Sequence, residues 1–149
     1  MPSKMSIMFY CLATLVAAYW VFLFISTHTA TTVPDLFDHF DKVLHFSAYA
    51  VLAFLLTTII FFRWGLLPRI GIWVWTLTIL YGSLDEYTQQ FVPGREPELL
   101  DLIADTCGAA LGVCAAYGLA HLCMMLHDRW DINSKMNDIV KQPSHGTAK

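Results

Sequence analysis

The sequence predicts an all-α protein, a four-helix transmembrane bundle with both termini cytoplasmic. Three observations carry this. Hydrophobic residues make up 56% of the 149 and charged residues only 14%, against about 25% charged in a soluble domain, and the mean hydropathy is +0.52. The apolar residues fall into four runs separated by polar or Pro/Gly-containing segments. The Lys and Arg residues divide unevenly between the two ends of such a bundle. Lys4, Arg63, Arg69, Arg129, Lys135, Lys141 and Lys149 share the side of the termini, and Lys42 and Arg95 the other, seven against two. The positive-inside rule makes the richer side cytoplasmic.

The first run, Ser6 to Ile25, follows Lys4 and carries no charge. It is long enough to cross roughly 30 Å of hydrocarbon. It is also longer than the roughly 7–15 residues of a signal-peptide core, and no clean cleavage site follows. Ser26 to Lys42 is a polar connection with Pro34, Asp35, Asp38 and Asp41, its end expected as a short interfacial turn. The second run goes from Val43 to Phe62, with His45 and Tyr49 in its first two turns and Arg63-Trp64 as an interface anchor. A short connection with Gly65 and Pro68 makes the third run an antiparallel neighbour. That run, Ile70 to Leu84, is short for a span, so the helix is expected to continue through Glu86 to Gln90 and stop before Pro93-Gly94. The fourth starts near Leu99, with Asp101 and Asp105 in its first turns, and ends near Leu126. Residues 1–127 are read as the membrane domain and 128–149 as a flexible polar cytoplasmic tail.

Several functions lack support. The net charge of −3 provides no basic field for nucleic acid. Cys107 and Cys114, seven apart on one helix, are too distant for a disulfide, and the four cysteines read as small packing residues. No cofactor is expected. His45 with Glu86, Asp101 and Asp105 has the chemistry for zinc or manganese, but the ligands would have to come from three helices, and no metal is predicted. His28, His39, His121 and His127 show no ligand spacing and read as surface or interface residues.

The informative residues are polar ones inside or beside apolar runs, where ionisable groups are costly. Side chains three or four apart share a helix face. Asp38, Asp41, Lys42, His45 and Tyr49 form one stripe, Gly82, Asp85, Glu86, Gln89 and Gln90 a second, and Asp101, Asp105, Gly108 and Gly112 a third. An up-and-down bundle puts all three on the outer side. Gly108 and Gly112 form a GxxxG pair, which allows close helix packing. Glu86, Asp101 and Asp105 would supply acceptors or a general base, and His45 a proton relay. Arg95 and Lys42 would hold an anionic group. Hydrogen bonds between helices would equally explain Tyr49, Gln90 and Asp85, and Glu96, Glu98, Asp35 and Asp38 read as solvated.

The pattern Asp41-Lys42-x-x-His45-x-x-x-Tyr49, Asp85-Glu86-x-x-x-Gln90, Arg95, Asp101, Gly108-x-x-x-Gly112 resembles the VanZ-like family of small bacterial membrane proteins. The resemblance covers roughly residues 41 to 113. It implies a multi-helix inner-membrane protein. The family's founding member is associated with low-level resistance to the glycopeptide teicoplanin, a phenotype rather than a reaction, and the resemblance does not carry that phenotype to this chain. The family pattern usually has Asn where this chain has Asp105, which adds a negative charge to the site.

The expected function is binding or modification of a lipid-linked or glycan ligand of the cell envelope, with Glu86, Asp101 and His45 in the chemistry. Arg95, Lys42, Asp105, Asp41, Gln90 and Tyr49 would hold the ligand. An intramembrane transferase or hydrolase, metal-assisted or not, and a structural module that binds a partner are the alternatives. The bilayer is the expected environment, and homo-oligomerisation through the small-residue face is open.

Overall fold

The structure, a computed structural model, describes residues 4–29, 39–65 and 67–141. Asp35, Asp38 and the end of the tail, residues 142–149, lie outside the described residues. Among the described residues four α-helices follow one another: α1 Lys4–His28, α2 Phe40–Trp64, α3 Pro68–Gln89 and α4 Leu99–Lys141. There is no strand among the described residues. The chain divides into two compact units, Met1–Tyr117 and Gly118–Lys149. The first holds α1, α2, α3 and the start of α4, and with them every residue of the site. The second holds the remainder of α4.

Three stretches are long and apolar enough to cross a membrane: Ser6–His28, Phe40–Trp64 and Leu99–Asn137. Large apolar side chains such as Phe22, Ile72, Trp73 and Leu80 are exposed around the bundle, as expected where lipid replaces water as the surroundings. α3 has 22 residues, about 33 Å at 1.5 Å per residue. Its last turns give up apolar character to Asp85, Glu86 and Gln89, and it is not among those three stretches.

Local chemistry sets most boundaries. Pro68 opens α3, where its missing N–H costs nothing. Gly65, at φ 77°, ends α2 and donates its N–H to the Phe61 carbonyl. α2 begins at Phe40, so Asp41 and Lys42 belong to its first turn rather than to the preceding connection. An aspartate there faces the positive end of the helix dipole. α4 does not stop with its apolar run near Leu126. It continues to Lys141, because no proline occurs between Leu99 and Pro143 and the intervening polar residues are tolerated in a helix.

Paired contacts give the topology. Phe46 and Ala50 of α2 lie beside Gly108 and Gly112 of α4, so those two helices run parallel. A Cβ at either glycine would fall on the carbonyl oxygen of Phe46 or Ala50. These two backbones touch without side chains between them. Trp75 Nε1 donates to the Thr106 carbonyl at 3.1 Å. Tyr117 Oη accepts from the Gly71 N–H at 3.0 Å and donates to the Leu67 carbonyl at 2.6 Å. These bonds tie α3 antiparallel to α4. Leu23, Tyr49 and Leu52 form one buried cluster, and Ala53, Val74 and Ala109 another. Buried Thr57 and Thr78 satisfy their hydroxyls on the Ala53 and Val74 carbonyls of their own helices, both at 2.7 Å. The four cysteines are free and exposed. They lie on the outside of the helices and not in the packing, contrary to the reading from sequence.

Candidate functional site

The up-and-down course brings the end of α1, the start of α2, the end of α3 and the start of α4 to one end of the bundle. Lys42 Nζ is enclosed there by three carboxylates: Asp41 Oδ2 at 2.5 Å, Glu98 Oε2 at 2.5 Å and Asp101 Oδ1 at 2.8 Å. The Asp41 and Glu98 side chains are half exposed, whereas that of Asp101 is 10% exposed. The ammonium is thus committed within the protein. It offsets part of the negative charge at the entrance of α4 and joins it to α2.

One turn deeper, His45 Nδ1 lies 3.0 Å from Asp105 Oδ1. Its other ring nitrogen is 4.0 Å from Asp101 Oδ2. Asp105 is fully buried, and its second oxygen, Oδ2, has no hydrogen-bond partner. A Cβ at Gly82 would come within 3.1 Å of that oxygen and 3.2 Å of the Tyr49 ring. The absence of a side chain on α3 therefore makes room for both. Glu86 is 6% exposed. Its Oε2 accepts the Glu98 N–H at 3.1 Å, which ties α3 to the segment before α4. Its Oε1 is buried and unpartnered. The Tyr49 and Tyr81 hydroxyls are also buried without partners, their rings stacked at 6.0 Å.

A second polar group joins α1 to α3. Asp85 accepts from Thr27 Oγ1 and from Gln89 Nε2, each at 3.0 Å. His28 bonds Thr88 Oγ1 at 2.8 Å and stands 3.6 Å from Asp85. Both Asp85 oxygens are satisfied here, so this carboxylate acts as a helix connector.

Beside these groups lies a cavity of about 530 Å³. Phe22, Leu23, Ile25 and Leu44 give it an apolar wall, and His45 and Arg95 are among its polar lining. Arg95 makes no ion pair among the described residues.

Among the residues singled out from sequence, Lys42, His45, Glu86, Asp101 and Asp105 meet in one cluster, with Asp41 and Tyr49 at its edges. Arg95 reaches the same region through the cavity. Gln90 does not join them. It is exposed, and its amide donates to the Tyr87 carbonyl at 2.5 Å. Its neighbour Gln89 is the buried one, because one residue turns the side chain by about 100° around the helix. Lys42 is enclosed by carboxylates, whereas Arg95 has no ion pair among the described residues. Glu98, read as solvated, is one of the acids on Lys42. Thr27 and His28 went unrecognised as partners. The only signal available was that two polar side chains end the first apolar run.

Fold and site together define a small helical membrane protein with a charged, partly enclosed site at one end of its bundle. A sequence model of the VanZ/LLP1 family matches residues 3–123, and the chain belongs to that family. No curated protein and no solved structure matches the chain.

Proposed function

We propose that this protein binds an anionic lipid-linked or glycan ligand of the cell envelope, on the extracytoplasmic face of the bacterial inner membrane. The observation that carries the reading is the cavity, which has apolar walls and, in Arg95, a guanidinium with no ion pair among the described residues. Such a lining suits an amphipathic molecule: an apolar part against Phe22 and Leu44, and a phosphate or carboxylate held bidentately by Arg95. His45, on the same lining, is positioned to pass a proton. Glu86 and Asp101 stand behind it as acceptors. The excess of Lys and Arg on the side of the termini supports the orientation, with residues 1–127 in the membrane and the polar remainder in the cytoplasm.

Native mass spectrometry of the full chain, released from gentle detergent, tests the ligand. The wild type retains an anionic lipid that Arg95→Ala loses, while the unfolding temperature stays unchanged. Equal retention by the two proteins, or none by either, overturns the reading. Reporter fusions after Gly94 test the orientation separately and should report the extracytoplasmic side.

A further inference from the structure

We propose that His45, Glu86 and Asp105 form a divalent-metal site, with zinc as its occupant. The three residues come from α2, α3 and α4, and one donor atom of each lies within 4.8 Å of the others. Donors of a tetrahedral zinc at about 2.0–2.1 Å stand roughly 3.4 Å apart. Small rotations of the side chains close that difference.

Two further observations point to a cation rather than to a self-satisfied network. Glu86 Oε1 and Asp105 Oδ2 are buried and accept no hydrogen bond, in residues that are 6% and 0% exposed. Buried carboxylate oxygens are normally paired or coordinate a metal. The nearest permanent cation, Lys42, is already shared among Asp41, Glu98 and Asp101. That outer acidic group already encloses an ammonium; among the described residues the inner pair has no Lys or Arg partner.

The donor set selects the ion. Two carboxylates cancel the charge of a dication, and a neutral imidazole adds the third donor. One nitrogen with two oxygens suits zinc, whereas magnesium and calcium favour oxygen alone. With Nδ1 of His45 on the metal, its Nε2–H faces Asp101 Oδ2, now 4.0 Å away. A carboxylate in that place fixes the ring and strengthens the ligand. Three protein donors leave a fourth position for water or for an oxygen of a bound anion.

The test uses full-length protein carrying no polyhistidine tag, purified without chelator. Elemental analysis should find about one zinc per chain. Treatment with a chelator should lower the unfolding temperature, and zinc alone should restore it. Glu86→Gln and Asp105→Asn keep the size of each side chain and remove one charge. Each should weaken zinc binding more than about tenfold and change the absorption spectrum of the cobalt-substituted protein. Metal-free protein whose unfolding temperature ignores added zinc overturns the proposal, as does zinc binding unaltered in both variants. The Arg95→Ala retention experiment reads the lipid ligand independently, so either result can fail alone.

Discussion

His45 and Asp105, sixty residues apart in the chain, meet at 3.0 Å in the interior of the bundle. The pair joins α2 to α4, with Asp105 fully buried and His45 8% exposed at the edge of the cavity. Replacing Asp105 by Leu leaves the imidazole without its acceptor. We expect a loss of about 1–3 kcal/mol, the cost of an unsatisfied buried polar group. Asp105→Asn keeps an acceptor oxygen and should cost less than half as much. Thermal unfolding of chelator-treated protein in detergent measures both, and equal losses would count against the bond.

The contact of α2 with α4 through Gly108 and Gly112 predicts an effect of opposite pattern, in which adding a methyl is harmful. Gly108→Ala puts a Cβ onto the Phe46 carbonyl, and the helices must separate. A loss of about 1–3 kcal/mol follows. Gly118 has open space around its Cβ position, so Gly118→Ala should be neutral or slightly stabilising by helix propensity. Unfolding curves of the two variants side by side decide the matter.

Lys42 predicts a coupling. Lys42→Met leaves Asp101 buried beside an apolar chain and should destabilise by roughly 2–4 kcal/mol, since a lost partner strands a charge. Combining it with Asp101→Leu removes the stranded group. The double variant should then be more stable than Lys42→Met alone. A double-mutant cycle in which the two losses simply add would show that the ion pair contributes no coupling.

Tyr117 predicts a smaller, local change. Its hydroxyl bonds both the Leu67 carbonyl and the Gly71 N–H at the start of α3. Tyr117→Phe should cost about 1 kcal/mol. Hydrogen exchange should rise at Gly71 and leave the amides around Gly108 protected. Uniform exchange across α3 would instead argue for global loosening.

The helical count, the approximate spans and the meeting of α2, α3 and α4 were legible in the sequence. Apolar run length and helical period are properties of consecutive residues, and an up-and-down course then brings alternate ends together. What each charge does there was less legible. Lys42 and Arg95 look alike as isolated cations, yet three carboxylates occupy the first while the second lines a cavity. That difference depends on where Glu98 falls after the turn at Gly94, which no periodicity encodes. Gln89 and Gln90 could not be separated by pattern alone, because both sit near the edge of one stripe. The role of α1 was hidden for a simpler reason: Thr27 and His28 resemble the polar end of any span. Asp85 receives its partners from Thr27 and Gln89, hydrogen bonds between and within helices of the kind the sequence suggested for it, though it did not name the partner on α1.

The parallel pair α2 and α4 has a mechanical consequence. Two backbones in direct contact at Phe46–Gly108 and Ala50–Gly112 have no layer of side chains to shear, so they behave as one rigid post. His45, Lys42, Asp101 and Asp105 are all mounted on it. Any opening or closing of the site must then come from α1, α3 or the Pro93–Glu98 segment that carries Arg95. Those four groups keep their spacing, while Glu86 on α3 and Arg95 move with the walls.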